Sequence, residues 1–224
     1  MNELPLTFDA QGLVPVVVQD RLTGEIRMVA FATSEAVRNT LRTGRATFWS
    51  RSRGELWEKG QMSGNGIRVE RVLVDCDADC VVYSSDPHGN SCHTGAESCF
   101  FQALEDGKLE QSNLQPQTLF AQLEAILEAR KGSTGAASYT RSLYDGGAPA
   151  IGAKIREEAG ELAAALETQT DERVVSEAAD VVYHVLVGLR SRSIPWRRVL
   201  AELARRLGTS GHEEKKSRKA ASDV

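Results

Sequence analysis

The hydrophobic period of this chain changes once, and that change dictates two folding units. Through residues 13–100 the apolar side chains fall in short β-branched runs separated by turn residues, whereas from Thr118 onward they recur at helical spacing. A period of 2 and a period of 3.6 cannot share one element, so strands and helices must segregate along the sequence. Between the two regimes, residues 106–117 are polar and contain Gly107 and Pro116, which places a linker at 108–117. The expected organisation is an N-terminal α+β domain over 1–107, mainly antiparallel strands with short helices. A C-terminal all-α helical bundle follows over 118–208. Residues 209–224 form a charged tail without apolar periodicity.

Within the first half, runs at 13–18 and 26–31 flank turn residues at 20–24 and predict an antiparallel pair. Ser34 can cap a short helix reaching Leu41, with Gly44 just past its end. Further strands are expected at 46–49, 67–75 and 80–83, and lost alternation at Glu70 and Arg71 predicts a bulge. In the second half the periodicity predicts helices over 118–132, 149–168, 171–192 and 195–207. A net charge of −4 argues against a dedicated nucleic-acid binder, which usually carries a basic stripe. No run approaches the roughly 18 apolar residues of a membrane span, and residues 1–5 lack the start of a secretory signal. The expectation is a cytoplasmic protein that binds neither membrane nor nucleic acid.

All four cysteines lie between Cys76 and Cys99. In a reducing compartment such a cluster is more often metal-binding or catalytic than disulfide-bonded. Asp75, Asp77 and Asp79 bracket Cys76 at the end of a predicted strand, where alternation would put the three carboxylates on one face and the thiol on the other. Carboxylates converging in this way suit Mg²⁺, and the thiol suits a softer ion such as Zn²⁺. The competing reading is a solvated acidic turn with one core cysteine. The six-residue gap from Cys92 to Cys99 is wider than the CxxC knuckle of a structural zinc site. Three thiolates would leave a position for water, whose pKa bound zinc lowers toward 7, whereas a closed site would need Cys80 as well. His93, beside Cys92, is a ligand, a proton carrier or a satisfied polar residue. Trp49 leads into Arg51 and Arg53, whose guanidiniums suit bidentate phosphate contacts, and residues 63–66, with Ser63 and Asn65, can offer backbone N–H groups to an anion.

These residues carry a resemblance. Gly12-Leu13-Val14-Pro15, Phe48-Trp49-Ser50-Arg51-Ser52-Arg53, Trp57-Glu58-Lys59-Gly60, Ser63-Gly64-Asn65, the Asp75–Asp79 run and Cys92-His93-Thr94-Gly95 with Ser98-Cys99-Phe100 occur in the order seen in phosphoribosyl-AMP cyclohydrolases of histidine biosynthesis. The resemblance covers about residues 12–107. It implies zinc on Cys76, Cys92 and Cys99, contributed across a homodimer interface, and magnesium on Asp75, Asp77 and Asp79. Cys80 would be a bystander.

On the helix at 149–168, Ile151, Ile155, Ala159, Leu162 and Leu166 form an apolar stripe, with Lys154, Glu157 and Glu161 beside it and Glu158 at its edge. On the next helix Val174, Ala178, Val181, Val182, Val185 and Leu189 make the apolar face, with Glu177, Asp180 and His184 on its border. Packed antiparallel, the helices would bring two carboxylate groups together as a Mg²⁺–phosphate site, although glutamates at i,i+4 are also common surface decoration. Glu157-Glu158-Ala159-Gly160-Glu161 followed by Glu177-Ala178-Ala179-Asp180 is similar to the EExxE…ExxD pattern of all-α nucleotide pyrophosphohydrolases. Ser138-Tyr139-Thr140, Lys154 and Tyr183-His184 resemble the phosphoribosyl-ATP pyrophosphohydrolase branch, over about 118–208.

The two resemblances imply a bifunctional, ATP-related nucleotide hydrolase of histidine biosynthesis that acts on small nucleotide substrates. Glu157, Glu158, Glu161, Glu177 and Asp180 would hold Mg²⁺, Glu157 and Glu161 would serve catalysis there, and Lys154 would contact substrate. His93 would carry the proton in the other half. A zinc nucleobase deaminase would require HxE and PCxxC signatures, and neither occurs. A structural zinc module with four thiolate ligands, joined to a helical dimerisation hairpin, is the non-enzymatic alternative, and it would make Cys80 an obligatory ligand.

Overall fold

The computed structural model describes residues 4–111, 119–132 and 139–207, which divide into two compact units at Thr118/Leu119. The expected tail, most of the expected linker and Ser138 lie outside the described residues.

The first unit is built on a strand that is buried on alternate residues. Strand β1 (Val14–Asp20) has the sequence VPVVVQD, and its alternate positions Val14, Val16 and Val18 face the core. It pairs antiparallel with β2 (Ile26–Ala32) through the 20–24 turn, as the pattern predicts. Helix α1 (Ser34–Thr43) follows, then β3 (Thr47–Ser50), β4 (Glu55–Glu58), β5 (Ile67–Val74) and β6 (Val81–Pro87). The sheet order is β4-β3-β2-β1-β6-β5, and the β1–β6 pair is parallel within an otherwise antiparallel sheet. The register of β5 slips between Val69 and Arg71, at the expected bulge. Phe48 and Tyr83 are fully buried, and the Phe48 ring lies 4.9 Å from Trp57 and 5.7 Å from Tyr83.

Several local expectations change. Thr33 rather than Ser34 caps α1, its hydroxyl accepting from Ala36 N–H at 3.2 Å. Gly44 closes the helix in the left-handed region at φ 68°, where a side chain would be strained. Lys108–Gln111, read as the start of a linker, instead forms strand β8, which pairs with β7 (Gln102–Glu105) across the Asp106-Gly107 turn. The polar composition that suggested a linker belongs to a hairpin exposed on both faces. Strand β5 stops at Val74, so Asp75–Asp79 occupy the β5–β6 turn and not a strand.

The second unit comprises α2 (Leu119–Gly132), α3 (Tyr139–Thr168), α4 (Asp171–Ser191) and α5 (Trp196–Arg206). Helix α3 begins ten residues before the expected start and bends at Gly147, whose φ of 64° a chiral residue would resist. Pro149 follows the bend, where its missing N–H costs little. The buried stripe of α3 is also rotated from the expected one. Ile151, Glu158 and Ala165 are buried, whereas Ala159 and Leu166 are exposed. On α4, Glu177, His184, Leu186 and Val187 are buried, so two residues expected on the border sit at its centre.

Truncating Phe48 to Ala should remove a fully buried ring with two aromatic neighbours. The expected loss is about 3–5 kcal/mol of first-unit stability in urea unfolding. A loss below about 1 kcal/mol would contradict this packing.

Candidate active sites

In the first unit, residues 91–97 form a closed loop that ends on the backbone of β2. Cys92 N–H donates to Ala96 C=O at 3.0 Å, and Ser91 N–H donates to Glu97 C=O at 3.1 Å. Beyond the loop, Ser98 Oγ donates to Ile26 C=O at 2.8 Å and Cys99 N–H to Arg27 C=O at 2.9 Å. This closure brings the two cysteines together although six residues separate them. Burial pushes the Cys92 thiol up, but hydrogen bonds from Thr94, Cys99 and the backbone outweigh it and leave it below the ordinary thiol range. The Thr94 hydroxyl lies 3.1 Å from Cys92 Sγ. Partial desolvation and the adjoining Cys92 push Cys99 up to about 11, against the charges of Lys59 and Arg27.

Cys76 does not join them. It is exposed in the β5–β6 turn, with its sulfur 3.9 Å from Asp77 Oδ1. Among the described residues, only two acidic groups have three ligand atoms within 4.8 Å of one another, and neither contains a cysteine. One of these is Asp75, Asp77 and Asp79. The turn gathers them, with Ala78 at φ 63° and Cys80 N–H donating to Asp75 Oδ1 at 3.0 Å. The Asp77 charge raises the Asp79 carboxyl above its usual range, as expected of carboxylates facing each other without a cation. Cys80 is half-buried, and burial followed by the Asp75 charge raises its thiol.

A cavity of 810 Å³ brings together Trp49, Arg51, Arg53 and His93. The Arg51 guanidinium stacks 4.0 Å over the Phe31 ring, a contact that orients it and that no sequence pattern suggested. His93 Nδ1 lies 3.9 Å from Cys92 Sγ. The 63–66 loop departs from expectation. Gly64 N–H donates to Gly60 C=O at 2.8 Å, Asn65 N–H to Ser63 Oγ at 3.3 Å and Gly66 N–H to Gly64 C=O at 3.0 Å. Those three donors are spent inside the loop.

The residue that sequence reasoning missed is Arg27. It is 5% exposed, and its guanidinium donates to Ser91 Oγ at 3.2 Å, Gly89 C=O at 3.1 Å and Glu25 Oε2 at 3.4 Å. It braces the turn that leads into Cys92. A single arginine in a β-branched run looks like one solvated position of an alternating strand, so no local signal distinguished it.

In the second unit the other acidic group is Glu158, Glu177 and Asp180. Glu158 and Glu177 are buried and Asp180 is exposed. Lys154 Nζ lies 2.8 Å from Glu158 Oε1 and 3.0 Å from Glu157 Oε1. Its hydrogen bond holds the Glu158 carboxyl below the usual range despite burial. Arg173 pairs closely with Glu177 and reaches Glu161 at 3.8 Å. Glu157 and Glu161 thus stand at the exposed rim, joined to the group through cations. His184 Nδ1 donates to Asp180 C=O at 2.8 Å, which leaves Nε2 to accept from the Tyr139 hydroxyl at 2.8 Å. Thr140 Oγ1 and Tyr183 Oη lie 2.6 Å apart, and Arg130 donates to both. Tyr139 and Thr140 come from the part of α3 before the Gly147 bend, which periodicity did not reveal.

Comparison with known proteins matches both halves. The family model described as phosphoribosyl-AMP cyclohydrolase matches residues 28–101, and that described as phosphoribosyl-ATP pyrophosphohydrolase matches residues 120–207. The chain is 40% identical over 220 residues to the histidine biosynthesis bifunctional protein HisIE of Wolinella succinogenes, with 96% of each chain covered. It belongs to the HisIE family. Identity to HisIE of Thermus thermophilus is 44% over 189 residues, covering 84% of this chain and 86% of that protein. For HisIE of Aquifex aeolicus it is 39% over 204 residues, covering 91% and 98%. The division between the two HisIE-type matches falls at the boundary of the two units.

Replacing Arg27 with Met should leave the half-buried Glu25 carboxylate without its partner and release the 89–91 turn. Unpairing a fully buried ion pair costs about 3–5 kcal/mol, and the partial exposure of Glu25 lowers the expected loss to about 1–3 kcal/mol. Thermal unfolding should register that loss, and the Arg27→Met, Glu25→Gln double variant should recover part of it. No recovery would sink the pairing as the cause.

Proposed function

We propose that this chain carries out two consecutive hydrolyses of histidine biosynthesis, one in each unit. It is a bifunctional hydrolase: the second unit converts phosphoribosyl-ATP and water to phosphoribosyl-AMP and pyrophosphate, and the first opens the purine of phosphoribosyl-AMP. The observation that carries this reading is that each matched segment contains its own set of candidate metal ligands beside cationic side chains. We assign the cyclohydrolase to residues 1–107 and the pyrophosphohydrolase to 118–208. We also assign the enzyme to the cytoplasm, in keeping with its four free thiols.

In the second unit the oxygen-only donors Glu158, Glu177 and Asp180 fit Mg²⁺, with Glu157 and Glu161 completing the set from the rim. Magnesium there would neutralise the polyphosphate and help activate water. Lys154, held between Glu157 and Glu158, would exchange a carboxylate for a phosphate oxygen as substrate arrives. Arg173 would be released from Glu177 in the same step. One of Glu157 and Glu161 would take a proton from the attacking water, whose oxygen would bond to the α-phosphorus as the α–β phosphoanhydride bond breaks and pyrophosphate leaves.

In the first unit the thiols Cys92 and Cys99 fit zinc, with the third thiolate coming from the partner's Cys76 in a homodimer. Support comes from the separation of Cys76 from the pair in one chain. Exposed Leu73 and Val74 beside Cys76 and exposed Phe100 beside Cys99 give two such halves apolar surface to bury. Zinc would make hydroxide available at neutral pH. Arg51 and Arg53 would hold phosphate, Trp49, Ser63 and Asn65 would line the nucleotide, and Asp75, Asp77 and Asp79 would hold Mg²⁺. Water adds to C6 and the N1–C6 bond breaks. The electron pair stays on N1, to which His93 would deliver a proton, and C6 becomes the carboxamide carbon.

Cys92→Ala should abolish ring opening and spare pyrophosphate release, whereas Glu177→Gln should do the reverse, each by at least about 100-fold. Chromatography of products from phosphoribosyl-ATP checks this. Loss of both steps in either folded variant would contradict the division.

Zinc affinity should rise with pH, because Cys99 must give up a proton held to about 11 before it can bind the ion. Each ligand still protonated adds up to roughly tenfold per pH unit. A chelator competition between about pH 6 and pH 8 that returned a constant affinity would exclude a thiolate site.

A further inference from the structure

Phosphoribosyl-AMP carries two phosphomonoesters, one on each ribose, attached to opposite sides of the purine. A site that opens the ring must receive both, and Arg51 and Arg53 account for only one. A second cavity, of 540 Å³, lies against the 60–66 loop and is lined by Arg45, Lys59, Arg68 and His88, with Glu58 as its one carboxylate. Glu58 is already matched by Arg45 at 3.1 Å, and Arg68 pairs outside the lining with Glu70 at 2.8 Å. Lys59 and His88 have no carboxylate within ion-pair distance among the described residues. The cavity therefore holds an excess of positive charge in a half-enclosed space, which attracts an anion.

Its walls are held in place from two directions. Gly60 sits at φ 86°, and a Cβ there would lie 2.3 Å from Gly66 N. The loop consequently closes on itself only with glycine at that position. His88 N–H donates to Gly66 C=O at 2.9 Å. A Cβ on Gly89 would lie 2.7 Å from Asn65 Oδ1, so the Asn65 side chain rests against the 88–91 turn. That same turn is gripped by Arg27 and runs directly into Cys92. The loop that lines the cavity is thus joined through the 88–91 turn to the segment that carries Cys92. Because the loop N–H groups are engaged internally, the recognition is by ammonium and guanidinium groups.

We propose that this cavity is a phosphomonoester subsite in which Lys59 and Arg68, flanked by Arg45 and His88, receive one of the two phosphates of phosphoribosyl-AMP, an assignment that rests on the cyclohydrolase reading of the same unit. It makes the substrate span two cationic cavities, with the reacting carbon between them.

The test is a cycle between protein charge and ligand phosphate. The full chain, loaded with zinc and magnesium, is assayed on phosphoribosyl-AMP and on its two singly dephosphorylated forms, as wild type and as the Lys59→Gln, Arg68→Gln double variant. The variant should lose about 10- to 100-fold in kcat/KM on the doubly phosphorylated substrate, chiefly through KM, at a cost of about 1.4 kcal/mol per tenfold. On one of the two monophosphates it should match the wild type within about twofold, and that ligand identifies which phosphate the subsite holds. A Lys59→Arg variant, which keeps the charge, should retain most of the affinity. Equal losses on all three substrates would overturn the subsite, since the effect would then be independent of the phosphate. If the wild type does not open phosphoribosyl-AMP at all, the cyclohydrolase reading fails by itself. The same cycle, run as equilibrium dialysis with the three compounds, then decides the subsite separately.

Discussion

Arg27 enters the interior of the sheet unit with its charge, and the surrounding chain must answer it. A desolvated guanidinium without partners would cost several kcal/mol, so Glu25, Ser91 and the Gly89 carbonyl are drawn onto it. Those groups come from the approach to the strand that carries the arginine and from the turn after β6. Their convergence anchors the loop that holds Cys92 against the β2 edge that holds Cys99. The helical unit obeys the same constraint with opposite sign. Glu158 and Glu177 are buried, and Lys154, Arg173 and His184 gather around them. In both units the polar interior is organised where the function is assigned.

This arrangement has a chemical consequence. A site whose charges are already paired must exchange partners when a metal or phosphate arrives, and the exchange limits the net affinity. Lys154 and Arg173 illustrate it, since each now pairs with a carboxylate of the acidic group. The thiol pair differs, because Cys92 and Cys99 answer each other, the one held below the ordinary thiol range and the other pushed above it. Under the proposed function, metal binding at the thiols would therefore follow pH, whereas at the helical site it would follow competition between cations.

Much of the architecture was legible because it follows from periodicity. The β-branched runs at 13–18 and 26–31 announced two strands, the turn residues at 20–24 announced their antiparallel pairing, and the lost alternation at Glu70 and Arg71 marked the slip in β5. The order of motifs likewise pointed to the two chemistries before any geometry was known. Periodicity failed where polar residues do core work. Glu158, Glu177 and His184 lie on the buried stripes, so counting apolar residues alone rotated the α3 face toward Ala159 and Leu166. It also missed the start of α3, whose bend at Gly147 interrupts the helical repeat.

What the sequence determined by itself is therefore the division into a sheet half and a helical half, the membership of the HisIE family, and the residue types available for each site. Those depend on local spacing and motif order, which a linear chain displays in full. Tertiary structure alone decided that Asp75, Asp77 and Asp79 meet through a turn, that Cys92 and Cys99 approach without Cys76, and that Arg27 ties the thiol loop to the sheet. The thiol pair and Arg27 depend on burial by residues distant in sequence, whereas the three carboxylates stay exposed and depend on where the β5–β6 pairing ends. Desolvation exists only once the chain has closed around the group.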